Sequence, residues 1–185
     1  MENGEIINGI SPEHGRMSFF VRVPTARSQR RNGILDIFQE AHIEYRNTSR
    51  EMPYGQNYSV IGDYTAVARS VSGFENACVL SRFALANMLP QVPLPAFYNA
   101  IRVALIRLQD AKVIPAGILT GVGLTFLNES GLLSPMEMTP REAAQCQILL
   151  TMASGGDIPV LEIGVWNALW EWTRARLLAA DCKDI

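Results

Sequence analysis

The sequence contains few of the residues from which catalytic and metal sites are built. It has two histidines and three cysteines, and it contains no CxxC pair, no GxSxG serine motif and no GKS or GKT phosphate loop. We therefore predict no enzyme activity, no catalytic residue, no metal ligand and no cofactor. A small enzyme site assembled from residues distant in sequence stays an open alternative, because such a site leaves no motif.

Cysteine pairs, a secretory leader and long apolar runs are also missing. Cys78, Cys146 and Cys182 form an odd, widely spaced set, which is typical of free thiols in a reducing compartment. The first residues are acidic and have no apolar core, unlike a secretory signal. The longest uncharged run, between Lys112 and Glu129, is shorter than a spanning helix needs. We expect no membrane partner and an intracellular (cytoplasmic) protein, or part of a virion or other assembly if the source is viral.

Lysine is scarce, and arginine carries almost all of the positive charge. Of 16 basic residues only Lys112 and Lys183 are lysine, in a chain of 185 residues with 48% hydrophobic and 18% charged residues. Residues 16–112 carry a net charge of +5, whereas residues 113–185 carry −4. Arginine suits bidentate contacts with phosphate or carboxylate, and the two charged halves could meet head to tail in a homo-oligomer.

The pattern of apolar residues, glycine and proline predicts an all-α fold. We expect a single compact helical domain of about five to six helices, preceded by an extended N-terminal arm with one short β-prone segment, Met17–Val23. The predicted boundaries are an arginine-rich arm over residues 1–32, a helical core over residues 33–180 and a short polar tail over residues 181–185.

The first part of the predicted core has two helices separated by a loop. The spacing predicts a helix over residues 33–46, an ordered loop with aromatic anchors over residues 47–62 and a second helix from about Asp63. Ser72 and Glu75 have the spacing of a capping box. The apolar residues 74–88 that follow predict a central buried helix.

Local signals are stronger in the second half of the chain. Pro95 is placed as the first-turn proline of a helix, and the glycines between residues 113 and 127 weaken a helix but allow close backbone approach. Thr139 and Glu142 form a capping box with proline at the first helical position, and Gly155 ends the helix that they open. A last helix is predicted over Pro159–Ala180.

Basic side chains cluster near the N-terminus and alternate with aromatic ones. Arginines in such a stretch can neutralise phosphates without reading base sequence, while phenylalanine rings can stack on bases or anchor in a neighbouring subunit. The predicted nucleic-acid-binding residues are Arg16, Arg22, Arg27, Arg30, Arg31, Arg46 and Arg50.

Aromatic residues supply the predicted protein interface, which consists of Phe19, Phe20, Trp166, Trp170 and Trp172. Trp166 and Trp170 are four residues apart and share one helix face, whereas Trp172 points elsewhere. An aromatic stripe is also typical of an ordinary core, so the tryptophans have two interpretations.

Two functional hypotheses follow from these features. The first is a non-enzymatic, oligomerising structural protein, nucleocapsid-like or coat-like, which binds itself and the backbone of RNA or DNA through arginines. The alternative is a small helical adaptor or regulator that binds a host or partner protein through its tryptophan-bearing C-terminal helix.

Overall fold

The computed structural model describes residues 4–22, 35–46, 52–133 and 138–184, which form a mixed α/β fold. These described residues contain four strands and five α-helices, with a 3-10 helix over Thr65–Arg69 after the last strand. In chain order the elements are β1 (Gly4–Ser11), β2 (Gly15–Arg22), β3 (Gln39–Arg46), β4 (Tyr54–Asp63), α1 (Val71–Asn87), α2 (Pro95–Arg107), α3 (Pro115–Glu129), α4 (Pro140–Ala153) and α5 (Ile163–Ala179).

The all-α prediction is therefore wrong, and the error lies in the first 63 residues. The predicted helix over residues 33–46 contains strand β3, and the predicted loop over residues 47–62 contains most of β4. The predicted arm contains a hairpin of two strands, of which β2 covers most of the expected strand Met17–Val23. The division of the chain into arm, core and tail stays a prediction.

The four strands form one sheet in the order β1-β2-β4-β3. Two antiparallel hairpins, β1–β2 and β3–β4, are joined where β2 runs parallel to β4 at the pairs Phe20–Tyr54 and Val21–Gly55. Register shifts on either side of residues 41–44 in β3 mark bulges, which bend a ribbon and increase its twist. The sheet is thus a long, bent ribbon in which the two hairpins follow one another.

Both ends of this ribbon are attached to the helices. At one end Gly15 adopts a φ of 68°, and a Cβ there would lie 2.3 Å from the Leu89 carbonyl oxygen, so the turn that meets the α1–α2 loop requires glycine. The Arg16 guanidinium donates to the Leu85 carbonyl at 3.0 Å. At the other end the Glu40 carboxylate accepts hydrogen bonds from the hydroxyls of Tyr64 and Tyr98. The middle of the ribbon lies between these two attachments.

The helical core is built around α3 rather than around the predicted central helix. Every residue from Gly117 to Leu127 is buried, because α3 contacts α2, α4 and α5. Glycines permit this packing: a Cβ on Gly117 would lie 3.1 Å from the Trp166 ring, and one on Gly123 would lie 2.9 Å from Thr173. The prediction that residues 74–88 form the central helix is wrong, since α1 exposes one face to solvent.

The helix ends test the predicted caps. The Thr139–Glu142 capping box opens α4 as predicted, and Pro95 is the first residue of α2. At α1, however, Ser70 rather than Ser72 is the N-cap, and its hydroxyl accepts from the Gly73 amide. The predicted capping box at Ser72 is therefore wrong, because the preceding 3-10 helix sets the start of α1 two residues earlier.

The polar residues that follow α5 are attached to α1. The Asn87 side chain donates to the Lys183 carbonyl and accepts from the Lys183 amide, both at 2.9 Å. These two bonds connect the C-terminal residues to the end of α1.

Candidate nucleic-acid interface

Pairing across the sheet brings four side chains from four strands into one row. Ile6 pairs with Phe20, Phe20 with Tyr54, and Tyr54 with Arg46. Directly paired residues point to the same face of a sheet and have Cβ atoms about 4.5–5.5 Å apart. We call these four residues the aromatic row. The row ends in an exposed cation, and Ile6 at its other end is 58% exposed.

The two rings in the aromatic row lie side by side. The centroids of Phe20 and Tyr54 are 6.1 Å apart with an angle of 35° between the ring planes, and both side chains are half-buried. The Phe20 ring lies over the backbone of Gly4, where a Cβ would come within 2.1 Å of its Cζ atom. Because Gly4 has no side chain, strand β1 leaves room for this ring.

The neighbouring row, on the opposite face of the sheet, has a different charge. It consists of Glu5, Val21, Gly55 and Tyr45. Burial raises the pKa of the nearby Tyr58, and the Glu5 carboxylate adds to this shift. Glu5 places a negative charge on this face, whereas the aromatic row itself carries the positive charge of Arg46, with the Glu44 carboxylate two residues before it on β3.

The structure places three of the seven predicted arginines. Arg22 and Arg46 are the last residues of β2 and β3. Arg16 is half-buried and bonded to the end of α1, so part of its guanidinium is already used within the fold. The other predicted residues, Arg27, Arg30, Arg31 and Arg50, lie outside the described residues.

The predicted interface rings have different environments. Phe19 is only 6% exposed and packs against Tyr45, with 5.4 Å between ring centroids. Trp166 is 1% exposed and belongs to the helical core, which removes it from any surface. Trp170 is half-buried, and Trp172 lies under the Arg176 guanidinium at 4.3 Å.

A polar cluster that the sequence analysis missed joins the sheet to the helices. The Tyr64 hydroxyl donates to Glu40 Oε2 at 2.6 Å, and the Tyr98 hydroxyl donates to Glu40 Oε1 at 2.9 Å. Burial and the Glu40 carboxylate raise the pKa of Tyr64 to about 12, and they raise the pKa of Tyr98 as well. Each tyrosine is thereby held in its neutral, donating form, so the cluster is suited to attachment rather than to proton transfer near neutral pH.

No pattern in the sequence points to this cluster, because its residues come from β3, the start of the 3-10 helix and α2. The only local signal is the position of Gly62, which pairs with Glu40. A Cβ at Gly62 would lie 2.7 Å from the Tyr64 hydroxyl oxygen.

Other kinds of site have little support within the described residues. No group of three histidine, cysteine, aspartate or glutamate side chains is placed to hold a metal ion there. Two cavities beside α3 each hold about 10 Å³, roughly the room for one water molecule. The three cysteines are free thiols, and burial raises the pKa of Cys146 and of Cys182. In the same part of the chain, no helix has the length and apolar character to cross a membrane.

Comparison with protein-family models, curated proteins and solved structures found no match to this chain.

Proposed function

We propose that this chain is a non-enzymatic, oligomerising structural protein, nucleocapsid-like or coat-like, whose sheet contacts nucleic-acid phosphates without base-sequence specificity. The aromatic row supports this best, because it combines an exposed arginine with two half-buried rings on the face of the sheet opposite Glu5. This function places the protein inside a cell, or in a virion if the source is viral.

The positions of the arginines along the chain add to this argument. Arg22 ends β2, and the stretch that contains Arg27, Arg30 and Arg31 follows it; Arg50 follows Arg46 by four residues. Arginine forms bidentate contacts with phosphate oxygens, and such contacts release counterions from the nucleic acid. We leave Arg16 out of the proposed phosphate contacts, because its guanidinium binds the Leu85 carbonyl.

Self-association is supported by an exposed apolar segment between α4 and the first turn of α5. The apolar side chains of this segment are exposed, and Val160 is fully exposed. They are Ile158, Val160, Leu161, Ile163 and Val165. An exposed apolar patch of this kind marks an interaction site in a soluble protein. Asp157 and Glu162 make the segment acidic, so we propose that it meets the arginine-bearing part of a second copy head to tail.

Fluorescence anisotropy with labelled RNA and DNA across a salt series tests the nucleic-acid part of the proposal. We expect affinity to fall log-linearly with salt, and we expect Arg46→Ala to weaken binding about equally for unrelated base sequences. Arg141→Ala is the matched control, since Arg141 is an exposed arginine at the start of α4. Binding that is absent or insensitive to salt would overturn the proposal.

Light scattering tests the self-association. We expect the wild-type protein to form oligomers that Val160→Asp shifts towards the monomer, because a charge in an apolar contact must be desolvated. Ser154→Asp places the same charge at an exposed position before the segment and serves as the control. A wild-type monomer at all protein concentrations would contradict this part.

The same exposed segment favours a second candidate function, the adaptor that binds a partner protein near α5. Under that function the segment binds a different protein, and salt has little effect on the contact. The adaptor would be supported if the protein is a monomer, binds no nucleic acid, and binds a partner protein that the Val160→Asp variant no longer binds.

A further inference from the structure

We infer that the aromatic row is a binding site for single-stranded nucleic acid, in which bases stack on Phe20 and Tyr54 while Arg46 contacts a phosphate. This inference rests on the proposed function for the phosphate contact. It adds a base contact, and therefore a preference for unpaired strands, which contact through arginines alone does not require.

The arrangement of the rings differs from aromatic packing in the core. In the core the Phe83, Phe97 and Phe126 rings meet edge to face, at angles of 67–82°. Phe20 and Tyr54 meet at 35° and lie on a sheet with neither side chain fully buried. Two partly exposed rings at a low mutual angle can each offer part of a ring face to a planar ligand, and base stacking uses such faces.

Gly4 maintains this arrangement. Any side chain at position 4 would occupy the space of the Phe20 ring, since even a Cβ would lie 2.1 Å from its Cζ atom. The tip of the Phe20 ring therefore lies against the Gly4 backbone, and the half-buried side chain keeps part of its surface accessible. Ile6 extends the apolar surface by one strand.

Arg46 supplies a positive charge on this face for an anionic ligand. It is exposed at one end of the row. Glu44 lies on the same face as Arg46, and its carboxylate accepts from the Asn57 amide at 2.8 Å. The amide hydrogen bond orients the charged Glu44 carboxylate towards Asn57, and Arg46 at the end of the row carries the positive charge that would meet a phosphate.

Base faces are accessible only in unpaired nucleic acid. In a duplex each base is stacked between its neighbours, so protein rings cannot lie on it without disrupting the helix. A duplex would contact Arg46 but not the two rings. Stacking on rings tolerates every base, which agrees with binding that does not depend on sequence.

The first experiment uses the wild-type protein and three labelled oligonucleotides of equal length: a single-stranded RNA, an abasic strand with the same phosphates, and an RNA duplex. At one salt concentration we expect the complete single strand to bind at least about fivefold more tightly than the abasic strand, which is the lower limit for one stacked base. Equal affinity for the complete and abasic strands would overturn this inference while leaving the phosphate contact intact. No salt-dependent binding of any of the three would instead overturn the proposed function.

Variants of the two rings test whether the preference for the complete strand over the abasic strand comes from the aromatic row. Phe20→Leu and Tyr54→Leu remove a ring but keep apolar volume, and we expect each to reduce the preference for the complete strand over the abasic strand by about fivefold or more without changing the salt dependence. Phe74→Leu is the matched control, because Phe74 is a 39% exposed ring that packs on Phe38.

Arg46→Ala separates charge from stacking. We expect this variant to weaken binding of the complete strand and of the abasic strand by the same factor. The slope of log affinity against log salt concentration should fall by about the amount due to one phosphate contact. A preference that survives in both ring variants would overturn the assignment to Phe20 and Tyr54. If a ring variant loses its circular dichroism, the comparison of complete and abasic strands on the wild-type protein still decides whether bases contribute.

Discussion

Replacing Glu40 by alanine is expected to lower the free energy of unfolding by about 3 kcal/mol, because two tyrosine hydroxyls lose a charged acceptor. The Glu40 carboxylate receives hydrogen bonds of 2.6 Å from Tyr64 and 2.9 Å from Tyr98. A hydrogen bond to a charged group contributes about 1.5–3 kcal/mol. All three side chains are only half-buried, so water can replace part of the interaction, and we use the lower figure for each bond.

Single hydroxyl deletions divide this effect between the two tyrosines. Tyr64→Phe and Tyr98→Phe are each expected to cost about 1.5 kcal/mol. Combined with Glu40→Ala, each should show a coupling energy of about 1 kcal/mol or more, because the two residues are in direct contact. Tyr45→Phe is the control, since Tyr45 lies on the sheet away from this cluster and is 37% exposed.

Urea unfolding followed by tryptophan fluorescence and by circular dichroism is the appropriate assay. The three tryptophans lie on α5, so their fluorescence reports on the helical part, whereas circular dichroism reports on the whole chain. Coincident transitions in every variant would show that the sheet and helices unfold together. A loss below about 1 kcal/mol for Glu40→Ala, or no coupling to either tyrosine, would refute the argument that this carboxylate attaches the sheet.

Three further predictions concern the helical part. Gly123→Ala would place a Cβ 2.9 Å from Thr173 and is expected to cost about 1–3 kcal/mol in a thermal melt, and an unchanged melting temperature would contradict the tight contact of α3 with α5. The Glu129 carboxylate accepts from the Phe97 amide at 2.7 Å and caps α2, so Glu129→Ala should cost about 1–2 kcal/mol in urea unfolding, whereas Glu129→Gln keeps an acceptor and should cost less. No loss in the alanine variant would exclude this cap. Because the pKa of Tyr64 is raised from 10.0 to about 12, its stabilising effect is present in full below pH 10 and is lost as the pH rises through 12; a urea midpoint that stays constant over that interval would contradict it.

Features that depend on neighbouring residues could be read from the sequence. The α4 cap needs only Thr139, Pro140 and Glu142, which are adjacent in the chain, and it is present as predicted. The proline that starts α2 is a similar local signal. Such signals succeed because the groups that form the bond lie within one helical turn of each other.

The strands could not be read in this way. Residues 39–46 contain apolar positions compatible with one helix face, yet they pair with β4, and this pairing supplies the hydrogen bonds that a helix would have made internally. The spacing therefore supported a helix, while the contacts made across the chain favoured a strand. The same long-range effect made α3 rather than α1 the central helix, since α4 and α5 pack against its glycines and α2 also contacts it.

The sequence by itself determined which side chains are available: many arginines, few lysines, acidic and basic residues concentrated in different parts of the chain, and aromatic rings beside the arginines near the N-terminus. Only the tertiary structure decided which of these groups act together. Pairing across two strand boundaries places Phe20, Tyr54 and Arg46 in one row, whereas Arg16 binds the end of α1 and Trp166 is enclosed in the core. The physical reason is that strand register depends on contacts between residues distant in sequence, and a shift of one residue would move every side chain of a strand to the opposite face.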